Sequence, residues 1–491
     1  MKRNPKRPVS SERQTWLRTA IYSFMTLTVT VIVSLLMLVV LGYQFNQKDG
    51  KLEQGGLLQF VSQPSGATVT LDGQRLLATT STKSTVDAGV HYVTFDKDGY
   101  RQWQKTVTVA PGQVGWLNYA RLIPSDIKPE MVRRFTTVAH ALASQSRNYM
   151  LLQEAADKPQ FTVADIRGDR LKYASLQIPE GVYTVPGEGK TQSFVPVKWS
   201  LNDDYILVKH TYNDDESEWI MIRRDDVTKS INITSMFAVN PSVVEFASDN
   251  GKLLFVQIND VVRRMNLDEQ TLSRPLATKV ANFTVYNEKT IAYASTPDET
   301  GKRHTGYAAI DIPSPIKLDT YDDDGRLLSV GIAEYFGKMI ASTIYGTDLT
   351  VRSGANLPTL ANSANTMKII GSRVVPAGVS KLEMSSSGRF TYITLPDGYG
   401  VFDLEFNKFD QTTLVNAGES KPDIHFLDDY MMWSDTGGQL WFYDFDGANR
   451  QNIMPVVEGL SSSLSPNGKY VYAFAPTDGG ILLQRVRLIL P

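Results

Sequence analysis

The chain has 491 residues, a length that suits roughly two to four domains, or one large repeat domain with an accessory module. Its 50 Lys and Arg residues nearly balance 52 Asp and Glu residues, and the net charge of -2 argues against a nucleic-acid-binding protein. Cysteine is absent from the sequence, which excludes disulfide bonds, a thiol nucleophile, a thiolate metal site and a lipid-modified N-terminal cysteine.

An uncharged segment near the N-terminus is predicted to span a membrane. Residues 19–45 carry no charge and are rich in Leu, Val, Ile, Met and Thr, and a helix of this length can cross a bilayer. Trp16 lies just before this segment and Tyr43 lies near its end, and both are expected at the membrane interfaces, where aromatic side chains are enriched. Residues 46–54 are then predicted to be a linker.

Basic residues before this segment predict its orientation. Glu12 is the single acidic residue among the first 18, whereas the basic ones are Lys2, Arg3, Lys6, Arg7, Arg13 and Arg18. The positive-inside rule places residues 1–18 in the cytoplasm and the following domains outside. Subtracting the +5 of this tail from the total of -2 leaves -7 for the remainder. Nucleic-acid and anionic-lipid partners are therefore disfavoured for the external part.

The apolar segment is interpreted as an uncleaved signal anchor. A cleaved signal peptide has a shorter apolar core, followed by small residues at a cleavage site. The core here ends in Val40-Leu41-Gly42-Tyr43-Gln44, which lacks such a pair. A buried helix of a soluble domain is the alternative, but such helices seldom exceed about 14 uncharged residues.

Residues 55–124 predict a small β-domain made of short antiparallel strands. Alternating apolar residues precede Asp72-Gly73, a dipeptide that supplies the positive φ angles of a two-residue hairpin turn. Similar stretches adjoin Asp98-Gly99 and Pro111-Gly112. About 70 residues with this pattern are typical of a sandwich or a small barrel.

A set of spaced residues in this segment occurs together in one known module. The matching positions are Pro64, Gly66, Ala67, Asp72, Gly73, Gly89, Gly99, Tyr100, Trp103 and Gly112. On these residues the segment resembles the PEGA domain, a β-sandwich common in bacterial surface proteins. Ser65 stands where the family usually has Glu, and Thr79-Thr80 replaces its usual Thr-Pro. The resemblance implies a structural or adhesive spacer and carries over no catalytic residue.

Residues 125–491 contain a degenerate internal repeat. A turn rich in Ser, Asn, Asp and Gly, followed by a short apolar strand, recurs at intervals of about 46 residues, within the range of a propeller blade. The clearest turns are Ser248–Lys252, Ser385–Arg389 and Ser465–Lys469. The strands begin near Tyr149, Tyr205, Leu253, Ile291, Met339, Phe390, Tyr430 and Tyr470.

Four-stranded units of this kind are apolar on both faces, so they must stack on neighbours and close into a ring. Ser465–Lys469 and Asp444–Gly447 resemble the WD40-like propeller repeats of the TolB type. The predicted fold class is therefore all-β: one N-terminal transmembrane helix, a small PEGA-like β-sandwich at 55–124, and a β-propeller at 125–491. The repeat favours eight blades over seven, and an irregular stack of β-sandwiches is the alternative.

The sequence offers little for catalysis or for a cofactor, and we predict neither. The histidines lack the spacing of metal ligands and are interpreted as ordinary strand or loop residues: His91, His140, His210, His304 and His425. Motifs of serine hydrolases, phosphate-binding loops and zinc proteases do not occur. Ser434–Trp441 approaches a box found in propeller glycosidases, but Thr436 occupies its Asp position.

Two acidic stretches are predicted to be solvent-exposed. Asp322, Asp323 and Asp324 are the candidate metal site, because crowded carboxylates suit calcium. The stretch fails the EF-hand pattern, since Gly331 stands at the twelfth position, and a solvated hairpin tip is favoured. Residues 213–218 are interpreted as an exposed loop between strands.

These features favour recognition over chemistry. The predicted protein is a membrane-anchored binding or scaffolding component of a bacterial cell envelope, with an envelope protein or glycan as partner. A cell-surface glycan hydrolase or lyase is one alternative. A ligand sensor is another, and it needs a membrane partner because about 18 cytoplasmic residues cannot form an output domain. The sequence does not predict the ligand or the oligomeric state.

Overall fold

The computed structural model describes residues 11–40, 42–46, 51–359, 367–416 and 424–491. The chain divides into two compact units, residues 1–125 and residues 126–491. Four of the predicted topology-setting residues lie outside the described residues: Lys2, Arg3, Lys6 and Arg7.

The N-terminal helix, α1, spans Ser11–Val40. Its apolar part, Thr15–Val40, has a mean hydropathy of 2.4 and is long enough to cross a membrane, and the protein buries none of it. The helix ends before the predicted residue 45, because Gly42 adopts a φ of +79° and its N–H bonds to the carbonyl of Val39 at 3.0 Å. Tyr43 therefore begins a strand instead of ending the helix.

The predicted linker overlaps a β-hairpin. Strand β1 (Tyr43–Asn46) pairs antiparallel with β2 (Lys51–Gln54).

A β-sandwich follows, as predicted for residues 55–124. One sheet has the order β6-β3-β9 and the other β5-β4-β7-β8. The β3–β9 pair is parallel, which the prediction of antiparallel strands missed. The strands are β3 (Gly56–Gln63), β4 (Thr68–Leu71), β5 (Gln74–Thr79), β6 (Thr82–Val86), β7 (Gly89–Asp96), β8 (Trp103–Val109) and β9 (Val114–Arg121).

Aromatic side chains form the core between these two sheets. Phe95 stacks on Trp103 with ring centroids 4.9 Å apart, and Phe60 meets Phe95 edge-on at 6.1 Å. All three are buried. The turn of Asp72 and Gly73 joins β4 to β5 with φ angles of +49° and +80°, as the hairpin motif predicts.

The second unit contains eight four-stranded sheets within its described residues. This count confirms eight as the number of blades. Each predicted strand start lies within one residue of the start of the second strand of a blade. The sequence pattern identified these strands because more than half of the residues in each of them are buried, and in β12 every residue is buried.

Blades 1 to 4 are consecutive in the chain. Blade 2 also carries a short 3-10 helix, Val227–Lys229, and a helix α2, Ile233–Phe237, that follows its last strand. The strands of blade 1 are β11 (His140–Ala143), β12 (Tyr149–Gln153), β13 (Gln160–Asp165) and β14 (Lys172–Gln177). Those of blade 2 are β15 (Gln192–Trp199), β16 (Tyr205–Tyr212), β17 (Glu216–Arg223) and β18 (Ile231–Asn232). Those of blades 3 and 4 are β19 (Val243–Phe246), β20 (Leu253–Ile258), β21 (Val261–Asn266), β22 (Thr271–Leu272), β23 (Val280–Asn287), β24 (Thr290–Ser295), β25 (Lys302–Ala309) and β26 (Ile316–Asp322).

Blades 5 to 8 complete the ring. The strands of blades 5 and 6 are β27 (Leu328–Tyr335), β28 (Lys338–Tyr345), β29 (Asp348–Gly354), β30 (Lys368–Val374), β31 (Lys381–Met384), β32 (Phe390–Leu395), β33 (Gly398–Asp403) and β34 (Lys408–Thr413). Those of blade 7 are β35 (Ile424–Phe426), β36 (Met431–Ser434), β37 (Gln439–Asp444) and β38 (Gln451–Pro455). Blade 8 combines β39 (Ser463–Leu464), β40 (Tyr470–Thr477) and β41 (Gly480–Arg487) with β10 (Pro129–Phe135).

The two ends of the propeller meet in blade 8. Strand β10 precedes blade 1 in the chain yet pairs antiparallel with β41. One apolar cluster joins blades 1 and 8 and includes Met150 and Leu152 with Tyr472 and Phe474. The unit is thus a closed ring, in which every blade covers the faces of its neighbours.

Side chains close the repeated turn between the first and second strands of most blades. In blades 1, 2, 3, 6 and 8 a serine Oγ accepts a hydrogen bond from the backbone N–H five residues later. In blade 7 the Oδ1 of Asp428 takes this role for Met431 at 2.9 Å. The repeated turn motif in the sequence therefore corresponds to a hydrogen-bonded turn in the structure. The serine bonds join Ser144 to Tyr149, Ser200 to Tyr205, Ser248 to Leu253, Ser385 to Phe390, and Ser465 to Tyr470.

Candidate functional site

A cavity of about 1030 Å³ lies along the first strands of blades 2 to 6. Pockets of roughly 300 to 1,000 Å³ are typical of ligand-binding sites in proteins. Its lining extends from the starts of these strands, near Leu327 and Ser380, to their ends, near Asn287 and Met384. The cavity exists only in the assembled ring, since the first strands of five blades and Gln145 of blade 1 contribute to its wall.

Ion pairs neutralise most of the charge on the cavity wall. Lys198 of blade 2 pairs with Glu245 of blade 3. Lys381 and Glu383 pair within β31 of blade 6 at 2.8 Å. These pairs present fixed hydrogen-bond donors and acceptors to the cavity without a strong net charge.

Blades 4 and 5 are joined at the cavity wall by side-chain hydrogen bonds. Asn282 donates to the carbonyl of Leu328 at 2.9 Å, and Thr284 donates to that of Val330 at 3.0 Å. These bonds fix two neighbouring strands. The adjacent residues Phe283 and Tyr286 also line the cavity and pack partly against the apolar clusters between blades. The wall thus combines rigid polar groups with aromatic surface, which can bind a polar ligand.

The predicted candidate metal residues do not form a group. Asp322 ends β26 and pairs with Lys302, while Arg303 lies 3.8 Å from Asp323. Within the described parts of the chain, no three or more His, Asp or Glu side chains are placed to hold a metal ion. Residues 323–327 connect blades 4 and 5, so the predicted hairpin tip is wrong.

Arg326 forms an ion pair with Asp324, the third carboxylate of this stretch. Its Nε lies 2.6 Å from Asp324. Burial alone would raise the pKa of Asp324, but hydrogen bonds from Tyr345 and Arg326 outweigh it and lower the pKa. Each of the three carboxylates thus faces a cationic side chain, which a metal ion would have to displace.

A buried histidine–carboxylate pair, which the sequence pattern did not predict, lies in blade 2. His210 and Glu218 face each other in the β16–β17 register, and Nδ1 of His210 lies 2.8 Å from the Glu218 carboxylate. His210 is 0% exposed and Glu218 is 3% exposed. The predicted exposed loop 213–218 is therefore wrong for residues 216–218, which belong to β17, and Glu218 is also buried.

Glu218 is held by four hydrogen bonds. Thr184 donates to it from its backbone N–H at 2.7 Å and from its hydroxyl at 2.9 Å, and Asn232 donates at 2.8 Å. Burial alone would raise the pKa of Glu218, but these bonds and the one from His210 lower it to about 2. The carboxylate stays ionised and fastens the connection that contains Thr184 to blade 2.

Aromatic rings enclose His210. Phe194 stacks on its ring with centroids 4.1 Å apart, and Tyr212 stacks at 5.3 Å. Its Nε2 has no hydrogen-bond partner among the described residues. This closed packing is a structural arrangement, since the cavity lining does not include His210.

A second histidine–carboxylate pair lies in the β-sandwich. Nδ1 of His91 lies 2.7 Å from Asp72, and Nε2 lies 2.7 Å from the carbonyl oxygen of Asp87. Burial alone would lower the pKa of His91, but these two hydrogen bonds outweigh it and raise the pKa. Burial alone would raise the pKa of Asp72, but hydrogen bonds from His91 and the N–H of Tyr92 lower it. Asp72 is thus both a turn residue and an ion-pair partner.

The near-match to a glycosidase box lies in a turn of blade 7. The hydroxyls of Ser434 and Thr436 are hydrogen-bonded at 2.6 Å, and both residues are buried. Asp435 accepts from the N–H of Gly459 at 2.7 Å. These contacts stabilise the turn between β36 and β37.

Comparison with known protein families identifies the β-sandwich. Residues 56–122 match the PEGA domain. The PEGA segment contains the buried Trp103, the Asp72-Gly73 turn and the His91–Asp72 pair described above. Comparison with curated proteins gives no match.

Comparison with solved structures returns propellers of low sequence identity. The C-terminal WD40 domain of Sif2 is 11% identical with a TM-score of 0.46, and the match covers 74% of this chain and 98% of that one. AztD from Citrobacter koseri is 12% identical with a TM-score of 0.38, covering 76% and 93%. An oligogalacturonate lyase in complex with manganese is 9% identical with a TM-score of 0.38, covering 74% and 98%. The propeller assignment rests on the strand pairing described above.

Proposed function

We propose that this protein is a membrane-anchored binding protein that displays its propeller on the extracytoplasmic side of a bacterial cell envelope. The observation that carries the proposal is the exposure of α1, because the protein buries none of the apolar part Thr15–Val40. An apolar helix of this length that no protein covers is stable in lipid. The charge distribution around it supports a cytoplasmic N-terminus.

Binding in the propeller cavity is the second part of the proposal. Paired charges such as Lys198 with Glu245, together with the aromatic rings of Phe283 and Tyr286, supply fixed polar and apolar contacts. Such a wall suits a glycan or a polypeptide segment of the envelope. Anchoring raises the local concentration of this site near envelope partners, so that individual contacts need not be tight.

The anchor is tested by the fate of α1. We expect full-length protein from cell membranes to resist extraction at alkaline pH and to have an intact mass that includes residues 1–40. A mature protein that begins after the helix would identify a cleaved signal sequence and would reject the anchored form.

The cavity is tested by binding of purified full-length protein to a panel of envelope glycans and peptides. We expect Lys198→Met with Glu245→Met to weaken binding of the selected ligand by about 10-fold, since both donor and acceptor are lost. The exposed pair Lys128 and Asp126, 2.7 Å apart in the connection to the propeller, provides a matched control for removal of an ion pair. Turnover of any glycan would favour the hydrolase or lyase alternative.

A further inference from the structure

The exposed apolar side chains of the PEGA domain are concentrated at one end of its β-sandwich. Among the described residues 55–124, five large apolar side chains are exposed: Leu77, Val90, Tyr92, Val114 and Trp116. Val90 and Tyr92 lie in the first half of β7, and Val114 and Trp116 lie in the first half of β9. Leu77 lies apart from them, in the edge strand β5.

Strand pairing brings the two half-strands to the same end of the sandwich. Val90 lies opposite Thr108 near the end of β8, and the short connection 110–113 leads from β8 to Val114. Each pair points outward, because the residue between its two members is buried. The outward face of each sheet therefore presents a valine nearest the end and an aromatic ring two residues farther along. We call Val90, Tyr92, Val114 and Trp116 the apolar end of the domain.

The N-terminal helix meets the domain at this apolar end. The carbonyl of Gly42, just past the end of α1, accepts a hydrogen bond from the N–H of Gly55 at 2.9 Å. The carbonyl of Gly55 in turn accepts one from the N–H of Gly112 at 2.8 Å. Val114 follows Gly112 closely in the chain, at a distance of about 7 Å when extended. Two consecutive hydrogen bonds thus tie the apolar end to the end of α1.

The length of α1 indicates the depth of this end in a bilayer. From Arg18 to Val40 the helix is roughly 33 Å long, and the hydrocarbon core of a bilayer is about 30 Å thick. When Arg18 lies at one surface, Val40 therefore lies at the other, and Gly55 and Gly112 lie among the headgroups. Tyr and Trp are the side chains enriched at this depth.

The distribution of charge along the sandwich agrees with contact between the apolar end and lipid. The two connections at this end, 87–88 and 110–113, contain Asp87 as their one charged residue. The connection 97–102 at the opposite end contains Lys97, Asp98 and Arg101. A second copy of the chain is a poorer partner, because four partly covered side chains fall far short of the roughly 800 Å² per partner that a stable interface buries.

We propose that the apolar end of the PEGA domain inserts into the phospholipid headgroup layer of the bilayer that holds α1. The inference rests on the anchor proposed above. Val90 and Val114 lie nearest the acyl chains, and the rings of Tyr92 and Trp116 lie among the headgroups. Because the anchor already holds the domain at the surface, this contact orients the domain without having to bind lipid tightly. Zwitterionic lipid is sufficient, since none of the four side chains is basic.

The first test measures lipid contact in the full-length protein, reconstituted in phosphatidylcholine vesicles whose headgroups carry a nitroxide quencher. Because the natural chain contains no cysteine, Thr108→Cys at the apolar end and Ser65→Cys at the opposite end can each carry a single fluorophore. We expect at least about 2-fold stronger quenching at Thr108→Cys than at Ser65→Cys, since interfacial contact reaches about 5–10 Å into the headgroup layer. Equal quenching at both positions would overturn the proposal.

A third labelled variant separates this inference from the anchor itself. Val33→Cys places the fluorophore within α1, where a nitroxide on the acyl chain should quench it. Quenching at Val33→Cys without the stronger headgroup quenching at Thr108→Cys would reject insertion of the PEGA domain and leave the anchor in place. Absence of quenching at Val33→Cys would reject both.

The second test asks whether the apolar side chains make the contact. A combined variant carries Val90→Thr, Val114→Thr and Trp116→Gln, and its labelled Thr108→Cys form should lose the excess headgroup quenching. Leu77→Thr is the control, because it removes an exposed apolar side chain elsewhere and should leave the quenching unchanged. The changed side chains are exposed, so we expect thermal midpoints within about 2 °C of the parent chain. Unchanged quenching in the combined variant would overturn the proposal, as would a clearly lower midpoint, which would mean that these side chains stabilise the fold.

Discussion

The PEGA domain and the propeller encode their folds differently in the sequence. In the PEGA domain individual residues are decisive, such as the turn of Asp72-Gly73 and the buried Trp103. In the propeller the spacing of buried second strands is decisive, and the turn before the strand is closed by Ser in five blades and by Asp in one. A small module can thus be recognised in a sequence by the identity of particular residues, and a repeat module by the spacing of its strands.

The same contrast extends to the histidine–carboxylate pair that each unit contains. The pair in the propeller is buried, with side-chain exposures of 0% for His210 and 4% for Glu218. The pair in the PEGA domain is open on one side, because the side chain of Asp72 is 49% exposed. Breaking a buried pair should lower the free energy of unfolding strongly, whereas a partly exposed pair should contribute less to it.

Removal of the buried carboxylate should have the largest effect. We expect Glu218→Ala to lower the free energy of unfolding of the propeller by about 3 kcal/mol or more, because His210, Thr184 and Asn232 lose their acceptor. Denaturant unfolding monitored by tryptophan fluorescence measures this change in the free energy of unfolding. Asp215→Ala in the exposed turn of the same hairpin is the control, and equal losses in both variants would remove the distinction between buried and exposed groups.

Removal of the Asp72 carboxylate should lower the free energy of unfolding less than removal of the Glu218 carboxylate. We expect Asp72→Ala to destabilise the PEGA domain by about 1–2 kcal/mol, because it removes two hydrogen bonds and places Ala at a φ of +49°. Asp72→Asn retains the turn preference and a side-chain acceptor and should lose about half as much. If the two variants proved equally destabilised, charge rather than turn geometry would dominate at this position.

The serine of the repeated turn should contribute about 1 kcal/mol per blade to the free energy of unfolding. Ser465→Ala leaves the N–H of Tyr470 without its acceptor at 2.9 Å, and Ser465 is buried. Ser314→Ala, at an exposed residue between β25 and β26, provides the control. Stabilities of both variants within error of the parent chain would show that strand spacing alone specifies the blades.

The smallest expected effect is the pH dependence of the PEGA domain. Because the pKa of His91 is raised in the folded domain, the protonated imidazole stabilises the fold. This stabilisation is complete below the unfolded pKa of 6.5 and is lost as the pH rises through the folded pKa. The lowered pKa of Asp72 means that its contribution is complete above 3.8 and is lost as the pH falls through its folded value. We expect the melting temperature of this domain to fall between pH 6 and pH 9, and His91→Gln to flatten the curve. A melting temperature that rises over this range would contradict the pairing.

The sequence predicted the blade number, but not the details of the cavity. Strand positions depend on local burial, which periodicity records, whereas the cavity wall joins residues as distant as Lys198 and Lys381 and exists once the ring closes. The pairing of His210 with Glu218 was accessible in principle, because a hairpin turn at residues 213–215 places these residues opposite each other. The acidic composition of this stretch suggested a loop and concealed the strand.

The end of the helix and the turn Phe336-Gly337 between β27 and β28 show two further limits of prediction from the sequence. Gly42 stops α1 within an apolar stretch that hydropathy alone would continue to residue 45. Phe336 looks like a core residue by composition, and only its turn geometry and exposure set it apart.

Cysteine labelling tests most directly on which side of the membrane the N-terminal tail and the propeller lie. Because the natural chain contains no cysteine, single substitutions Ser10→Cys in the tail and Glu299→Cys in the propeller report on each side without background. A membrane-impermeant maleimide applied to intact cells should label Glu299→Cys, and it should label Ser10→Cys only after the membrane is permeabilised. Labelling of Ser10→Cys in intact cells, with Glu299→Cys protected, would contradict the proposed display of the propeller outside the membrane.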